Sequence, residues 1–424
     1  MTGGTDGAGA LYERPEWVAR LIACGDAAGG PERLVPFDVD EMCASAVAST
    51  GLDDFGDDLD RGMGGDWLGR LRSLTAAMDD TAQMHAPGRF LTKTEFLRCL
   101  RTRLWLAEDA RRRPGIVDEV IAAPLVVTGP ARTGTTLLLE LLDLDPSLRG
   151  ARGWEIGHPG PAAERDEAEA LRLAETEYEL WVDLHPEFAT VHDMRSAYPQ
   201  ECIHLQMPSF SGAYWPMVAE IPGWTPDVVA AQQFHQRVLQ SLQYGTDDRT
   251  WVLKTPVYLP MLALVFAFYP DAWVVHTHRD PVKTATSSAS TLANVRWIRS
   301  DHVDTLNIAG DDGMGTLLLN LMEQRKNGEL PERIVDVHFA DLMADPAETV
   351  ARAYASMGRE LTGEHADAIR AYVANRPKGA LGKHAYTADQ YGIDVAAVRE
   401  RMRPYTDHYG IELEDRPHRT ESAG

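Results

Sequence analysis

The feature that most constrains the fold is the stretch from Pro124 to Leu137, which reads Pro-Leu-Val-Val-Thr-Gly-Pro-Ala-Arg-Thr-Gly-Thr-Thr-Leu. Its first half is a short uncharged apolar run, which suits a strand buried on both faces of a parallel sheet. Its second half breaks into a loop from Gly129 to Gly134 and opens a helical pattern at Leu137, Leu138, Leu139, Leu141 and Leu142. Strand, glycine loop and helix in that order present backbone N–H groups at a positive helix N-terminus, with the Thr135 and Thr136 hydroxyls and the Arg132 guanidinium alongside. Such a site takes a phosphate or sulfate group. The spacing Gly129-x4-Gly134 is that of a Walker A loop, yet Thr135 stands where an NTPase carries lysine. The plain alternative is an ordinary strand-to-helix turn, and the flanking strand and helix weigh against it.

A second stretch repeats the unit. Trp251 to Pro256 reads Trp-Val-Leu-Lys-Thr-Pro and precedes an apolar helical segment, Tyr258 to Phe268; then Ala272 to Thr277 reads as a strand, and His278-Arg279-Asp280-Pro281 leads into another helix. The repeat predicts an α/β fold of three layers around a central parallel sheet, with ligands gathered outside the carboxyl ends of the strands. Lys254, Arg279 and the glycine loop then converge on one edge. Residues 1–12 are glycine-rich and expected to be disordered. Residues 13–118 read as an all-helical extension, with periodic patterns over 17–22, 39–48, 67–78 and 93–113.

Charge excludes some functions. Lys plus Arg at 41 against Asp plus Glu at 64 gives a net charge of −23, so nucleic acid is not an expected partner. An acidic chain that binds an anion must concentrate cations locally, as Arg132, Lys254 and Arg279 would. Cys24, Cys43, Cys99 and Cys202 lie far apart, which excludes a zinc ribbon and argues against a disulfide framework. The first residues have no basic or apolar signal-peptide pattern. The most apolar segment, Tyr258 to Val275, carries Pro260, Pro270 and Asp271 and reads as core, not a membrane span. A cytoplasmic address is expected.

The residues Gly-Pro-Ala-Arg-Thr-Gly-Thr-Thr at 129–136, with Arg279 and Ser287 eight residues later, resemble the bacterial members of the sulfotransferase family that use 3′-phosphoadenosine-5′-phosphosulfate (PAPS). Lys254-Thr255-Pro256 is similar to the family's catalytic lysine segment, and 337–346 to its late strand and helix start. The resemblance implies that Arg132, Thr133, Gly134, Thr135 and Thr136 bind the 5′-phosphosulfate, and that Arg279 and Ser287 bind the 3′-phosphate. It also implies an α/β domain over 119–424 with an acceptor-site insertion at about 155–245. Family members carry an Arg-Lys-Gly loop near the end of the chain. Here Arg376, Lys378 and Gly379 are interrupted by Pro377, so which side chain reaches the phosphate is open, as is a simple basic surface loop.

Sulfuryl transfer to a hydroxyl needs cations aimed at the departing phosphate oxygen and a base beside the acceptor. Arg132 and Lys254 fit the first role. Polar, titratable residues cluster over 183–202, and Pro199-Gln200-Glu201-Cys202 resembles the Pro-x-Glu-Cys-like segment that supplies acceptor-site groups in bacterial family members; for the base, Glu201 comes first, with His192 and His185 behind it. No metal is required, since protein cations do the neutralising. The acceptor is expected to be a small-molecule hydroxyl compound, apolar or lipid-like. Aromatics Phe210, Tyr214, Trp215 and Trp224 among prolines could wall its pocket or simply cover core. His276 and His278 share a strand face but lack a nearby third ligand in sequence, so packed histidines are the expected reading over a metal site. The helical pattern over 164–180 carries no evident chemistry, and Asp53 to Asp58 reads as an acidic turn without calcium-loop spacing. A P-loop-type small-molecule or nucleotide kinase and a non-catalytic nucleotide-binding protein remain as alternatives; Thr135 counts against the first, the retained cations against the second.

Overall fold

The uncharged run after Pro124 forms β1, Leu125–Thr128, buried throughout. It lies in a computed structural model that describes residues 12–56, 65–159, 166–191, 195–246, 249–308, 313–375 and 386–414. Four further strands join it: β2 Leu148–Gly150, β3 Thr250–Lys254, β4 Trp273–His278 and β5 Ile334–His338. All pairings are parallel and the order is β2-β3-β1-β4-β5. β2 has no counterpart in the sequence reading. It is three residues long with Arg149 at its centre, so no apolar run marks it; the guanidinium instead lies 4.3 Å over Trp251 and pairs with Glu155 at 2.7 Å.

Alternate residues of the strands serve opposite faces. Leu125, Val127, Val252 and Val275 pack with Leu138, Leu142, Val350 and Tyr354 on one side. Val126, Leu253 and Val274 pack with Phe234, Val238, Leu321 and Met402 on the other. Covered on both faces, the strands have no use for polar alternation, which is why they read as continuous apolar runs.

The helices that frame the sheet follow from capping and apolar stripes. In the N-terminal region α1 Glu16–Ala27, α2 Val39–Thr50, α3 Trp67–Thr81 and α4 Ala86–Arg112 form a separate cluster around Met42, Leu71, Phe96 and Leu100. Asp38, Asp66 and His85 cap the last three by accepting from Glu41, Gly69 and Gly88 backbone N–H groups. Phe210, Tyr214 and Trp215 belong to the same cluster at 0%, 3% and 0% exposure, with Phe96 and Trp215 rings 4.8 Å apart. Phe210 and Trp215 therefore cover core, while Tyr214 also lines a pocket with Glu95, Arg98, Trp181 and His204.

α5, Thr135–Asp143, follows the glycine loop. α6, Glu167–Leu184, buries Ala170, Ala174, Tyr178, Trp181 and Leu184 along one stripe. Its outer acids are structural: Glu175 accepts from the Ser196 backbone at 3.0 Å and Glu177 pairs with Arg98 at 3.0 Å, which ties the segment after Arg195 to the helical region. α7 Cys202–Gln206, α8 Val228–Gln243, α9 Pro281–Trp297, α10 Gly313–Lys326 and α11 Val395–Tyr409 complete the frame, the last four covering the Val126 face. No described helix is long and apolar enough to cross a membrane. The apolar segment after Tyr258 divides into a 3₁₀ turn Pro256–Met261, a helix Leu262–Phe268 and β4.

Candidate active site

Because the sheet is parallel, β1, β3 and β4 all end on the same edge, and three candidate groups sit at those ends: the glycine loop after β1, Lys254 as the last residue of β3, and Arg279 directly after β4. The loop is shaped by close approach. Gly129 has φ 157°, and a Cβ there would meet Thr277 Oγ1 at 2.1 Å and its carbonyl oxygen at 2.7 Å, so only glycine fits. Thr133 is fully buried; its hydroxyl donates to Pro130 O at 2.7 Å and pairs with the Thr277 hydroxyl at 2.5 Å. That side chain points into the loop and holds its shape, so any ligand contact by Thr133 falls to its backbone. Arg132 adopts φ 65° and is exposed. Gly134, at φ 88°, opens α5 without a side-chain cap, which leaves the first N–H groups of that helix for a ligand.

Lys254 is the centre of the arrangement. Its ammonium donates to Thr136 Oγ1 at 3.1 Å and contacts the Glu201 carboxylate, with side-chain exposures of 2% and 18% for Lys254 and Glu201. Glu201 is placed from the far side. It precedes α7, and the segment before it is pinned to the continuation of β2: Gln200 N–H donates to Ala151 O at 2.9 Å, and Gly153 N–H donates to Tyr198 O at 3.1 Å. The cleft between these elements is lined by Thr136, Glu140, Arg195, Tyr198, Glu201 and Lys254.

Glu140 and Arg195 had escaped the sequence reading. Glu140 lies one helical turn after Thr136 on α5 and is 6% exposed; its carboxylate is 3.8 Å from Arg195, whose guanidinium sits 3.6 Å over the Tyr198 ring. The i,i+4 relation to Thr136 was the available signal for Glu140. Arg195 gave none, because only the tertiary fold brings it to α5.

Arg279 is engaged by Glu414 through two parallel hydrogen bonds, Nε to Oε1 at 2.7 Å and Nη2 to Oε2 at 2.8 Å. Its Nη1 donates to the Arg132 carbonyl at 2.9 Å, and its plane lies 4.0 Å over Phe339. Ser287 is buried at 2% exposure on α9. His192, Arg376, Lys378 and Gly379 lie outside the described residues.

Two expectations change. His185 is fully buried, its Nε2 bonded to Asn294 Oδ1 at 2.7 Å and its ring edge-on to Tyr12, and it does not line the cleft; it is not a base for this site. His276 and His278 do have a third potential ligand, since Asp336 of β5 pairs in register with His276 and the three offer ligand atoms within 4.8 Å of one another. The missing ligand came from the neighbouring strand, invisible to local spacing. Its oxygens are already used: His278 Nε2 donates to Oδ1 at 2.8 Å, and Arg325 donates to both oxygens at 2.6 and 2.8 Å. Burial opposes ionisation of Asp336, yet the hydrogen bonds from Arg325 and His278 outweigh it and hold the carboxyl below its usual range. Burial lowers both histidines, so the trio is a neutral pair beside an ion pair.

Comparison with known proteins gives the family. Residues 124–363 match the model of a family described as the sulfotransferase family. The chain is 24% identical over 356 residues to the omega-hydroxy-beta-dihydromenaquinone-9 sulfotransferase Stf3 of Mycobacterium bovis, over 77% of this chain and 86% of the relative. The same identity and coverage hold for Stf3 of Mycobacterium tuberculosis. Among solved structures, sulfotransferase STF1 from Mycobacterium tuberculosis H37Rv superposes with a TM-score of 0.69 at 29% identity, over 86% of this chain and 98% of that one. Sulfotransferase STF9 from Mycobacterium avium shares the fold, with a TM-score of 0.73 at 24% identity over 89% and 98%. The family match begins one residue before β1, runs through the loop, Glu201, Lys254, Arg279 and β5, and spans more than half of the chain; the protein belongs to the sulfotransferase family.

Proposed function

We propose that this sulfotransferase takes its sulfuryl group from PAPS and passes it to a hydroxyl carried on an apolar, lipid-like acceptor. The observation that carries the reading is the Lys254 ammonium between Thr136 Oγ1 and Glu201, at the sheet edge where the glycine loop opens α5. The donor fits the residues present. The uncapped start of α5 offers N–H groups to an anion, and Arg279 already holds a bidentate carboxylate in the geometry that a phosphate also satisfies.

When bound, the donor supplies an activated sulfuryl group on a phosphate leaving group. The chain's part is positioning and charge. Lys254, Thr136 and the α5 amides stabilise negative charge on the departing oxygen, while Arg279 and Ser287 fix the distal phosphate. Glu201 accepts the acceptor's hydroxyl proton. Glu140 and Arg195 flank the acceptor in the cleft, with Leu139, Tyr198 and Pro199 supplying apolar wall. The curated relatives are named for a hydroxylated menaquinone derivative, which favours an apolar alcohol over a small polar one. A cytoplasmic address is part of the same reading.

The test is calorimetric titration with the desulfated product, 3′-phosphoadenosine-5′-phosphate, against ATP with magnesium, on wild type and Arg279→Ala. It is followed by transfer of labelled sulfate from PAPS to hydroxylated isoprenoid quinones, phenols and sugars. Metal-independent binding of the bisphosphate, weakened by Arg279→Ala, with label appearing on a hydroxylated isoprenoid, is the expected result. Binding of ATP with magnesium alone would overturn the donor assignment, and label on sugars alone the acceptor class.

A further inference from the structure

Beyond α11 the chain returns to the edge of the sheet where the glycine loop lies. Gly410 turns it at φ 62°, Ile411 packs into the core at 8% exposure, and Glu414 N–H donates to Asp280 Oδ2 at 2.7 Å. Asp280 is itself fully buried and held from two directions: it caps the start of α9 by accepting from Val282 N–H at 2.9 Å, and it accepts from Arg399 of α11 at 2.9 Å. The anchor fixes where the Glu414 side chain can reach. It lands on Arg279, with side-chain exposures of 16% for the arginine and 37% for the glutamate. The remaining guanidinium nitrogen donates to the Arg132 carbonyl, so each nitrogen of Arg279 has an acceptor.

A carboxylate on the fork of a guanidinium uses the same two donor directions as a phosphate monoester. We propose that Glu414 is an internal competitor for the 3′-phosphate of the donor, a determinant of donor affinity that holds Arg279 in the resting enzyme and leaves as the phosphate arrives. The inference rests on the reading of Arg279 as a 3′-phosphate ligand. It has a selective consequence. A nucleotide with a 3′-phosphate must displace Glu414, so its apparent affinity is lowered by the population in which the fork is occupied. A nucleotide without that phosphate leaves Glu414 where it is, and its affinity is untouched. Glu414 therefore narrows the gap between phosphorylated and unphosphorylated nucleotides instead of widening it. For a partly exposed charge-assisted pair, the expected change on its removal is roughly three- to tenfold in affinity.

The experiment is titration of the full chain with 3′-phosphoadenosine-5′-phosphate and with AMP, at fixed pH and ionic strength, using wild type, Glu414→Gln, Glu414→Ala, Arg279→Ala and the double variant Arg279→Ala/Glu414→Gln. Thermal unfolding run alongside identifies any variant that is not folded. Both Glu414 variants are expected to bind the bisphosphate roughly three- to tenfold more tightly than wild type and to bind AMP as wild type does, and Glu414→Gln to change nothing once Arg279 is gone. If Arg279→Ala weakens the bisphosphate but neither Glu414 variant tightens it, the competitor is overturned while the 3′-phosphate site stands. Weaker binding by Glu414→Gln, or an equal gain for AMP, also overturns it, since Glu414 would then support the site or act away from the fork. If Arg279→Ala leaves bisphosphate affinity intact, the assignment of Arg279 fails and the competitor fails with it.

Discussion

Replacing Lys254 by methionine separates the chemical role of the ammonium from its structural one. The side chain is 2% exposed and its ammonium reaches Thr136 Oγ1 at 3.1 Å and the Glu201 carboxylate. Removing a preorganised donor aimed at developing charge costs about 3–4 kcal/mol in the transition state, or roughly two to three orders of magnitude in rate. The same change strands Glu201, whose side chain is only 18% exposed. Breaking a fully buried pair costs about 3–5 kcal/mol, and the partial exposure of Glu201 brings the expected loss of stability to about 1–3 kcal/mol. Lys254→Met/Glu201→Gln removes the stranded charge and should return stability to within about 1 kcal/mol of wild type. On the proposed reading it should not return activity, because both the cation and the base would be missing. Urea denaturation gives the stabilities, and single-turnover transfer of labelled sulfate from PAPS to the best acceptor gives the rates. Recovery of the rate together with stability in the double variant would refute the reasoning, as would a Lys254→Met enzyme within tenfold of wild type.

Gly129→Ala should destabilise the fold by about 2–4 kcal/mol and abolish bisphosphate binding, since its Cβ would lie 2.1 Å from Thr277 Oγ1 and 2.7 Å from the Thr277 carbonyl oxygen. Gly363→Ala, with nothing within 4 Å, is the control that should be neutral in urea denaturation. Burial pushes His235 down to about 3, and its Nδ1 lies 3.0 Å from the Tyr269 hydroxyl. Neutral in the folded chain, it takes up its proton on unfolding below a pH of about 6.5. Its contribution is therefore fully present above that pH and is lost as pH falls toward the folded value. His235→Gln should shrink the loss of stability between pH 7 and pH 5 by about 2 kcal/mol, measured from urea curves at the two pH values; an unchanged difference would show that this histidine does not titrate on unfolding.

How much of this was legible depended on whether the signal was local. A strand buried on both faces reads as an uncharged run, and a loop that approaches its neighbour within van der Waals contact must be glycine, so β1, the loop and α5 stood out together. Lys254 and Arg279 were legible because each directly follows or ends such a run. β2 was not, since its central Arg149 is buried by stacking on Trp251 and pairing with Glu155, neither of which leaves an apolar pattern. The same limit hid every partner supplied across the fold. Asp336 reaches His278 from 58 residues away, and Glu414 reaches Arg279 from 135. Glu201 was legible because it sits in a polar stretch and in a segment, Pro199-Gln200-Glu201-Cys202, that resembles one in bacterial family members, whereas Arg195, six residues earlier, became a cleft residue only when α6 anchored its segment beside α5.

Under the proposed reading a chain of net charge −23 must recognise a polyanion, a difficulty its side-chain pairing resolves. An unpaired ammonium at 2% exposure would be costly to hold at rest, and so would a guanidinium at 16%. Each carries its own carboxylate: Lys254 has Glu201, Arg279 has Glu414, and Arg399 behind them has Asp280. Under the proposed reading an incoming anion exchanges with an internal one instead of meeting bare positive charge, and affinity becomes a difference between two anions at one cation. The two glutamates then have opposite duties. Glu414 must leave for the donor, while Glu201 must stay to take the acceptor's proton. Their anchoring differs in the matching sense. Glu201 heads α7 and follows a segment hydrogen-bonded to Ala151 and Gly153 beside β2, so its backbone is part of the frame. Glu414 lies on an extension past α11 that belongs to no strand or helix, so its carboxylate can swing off Arg279 without disturbing the sheet.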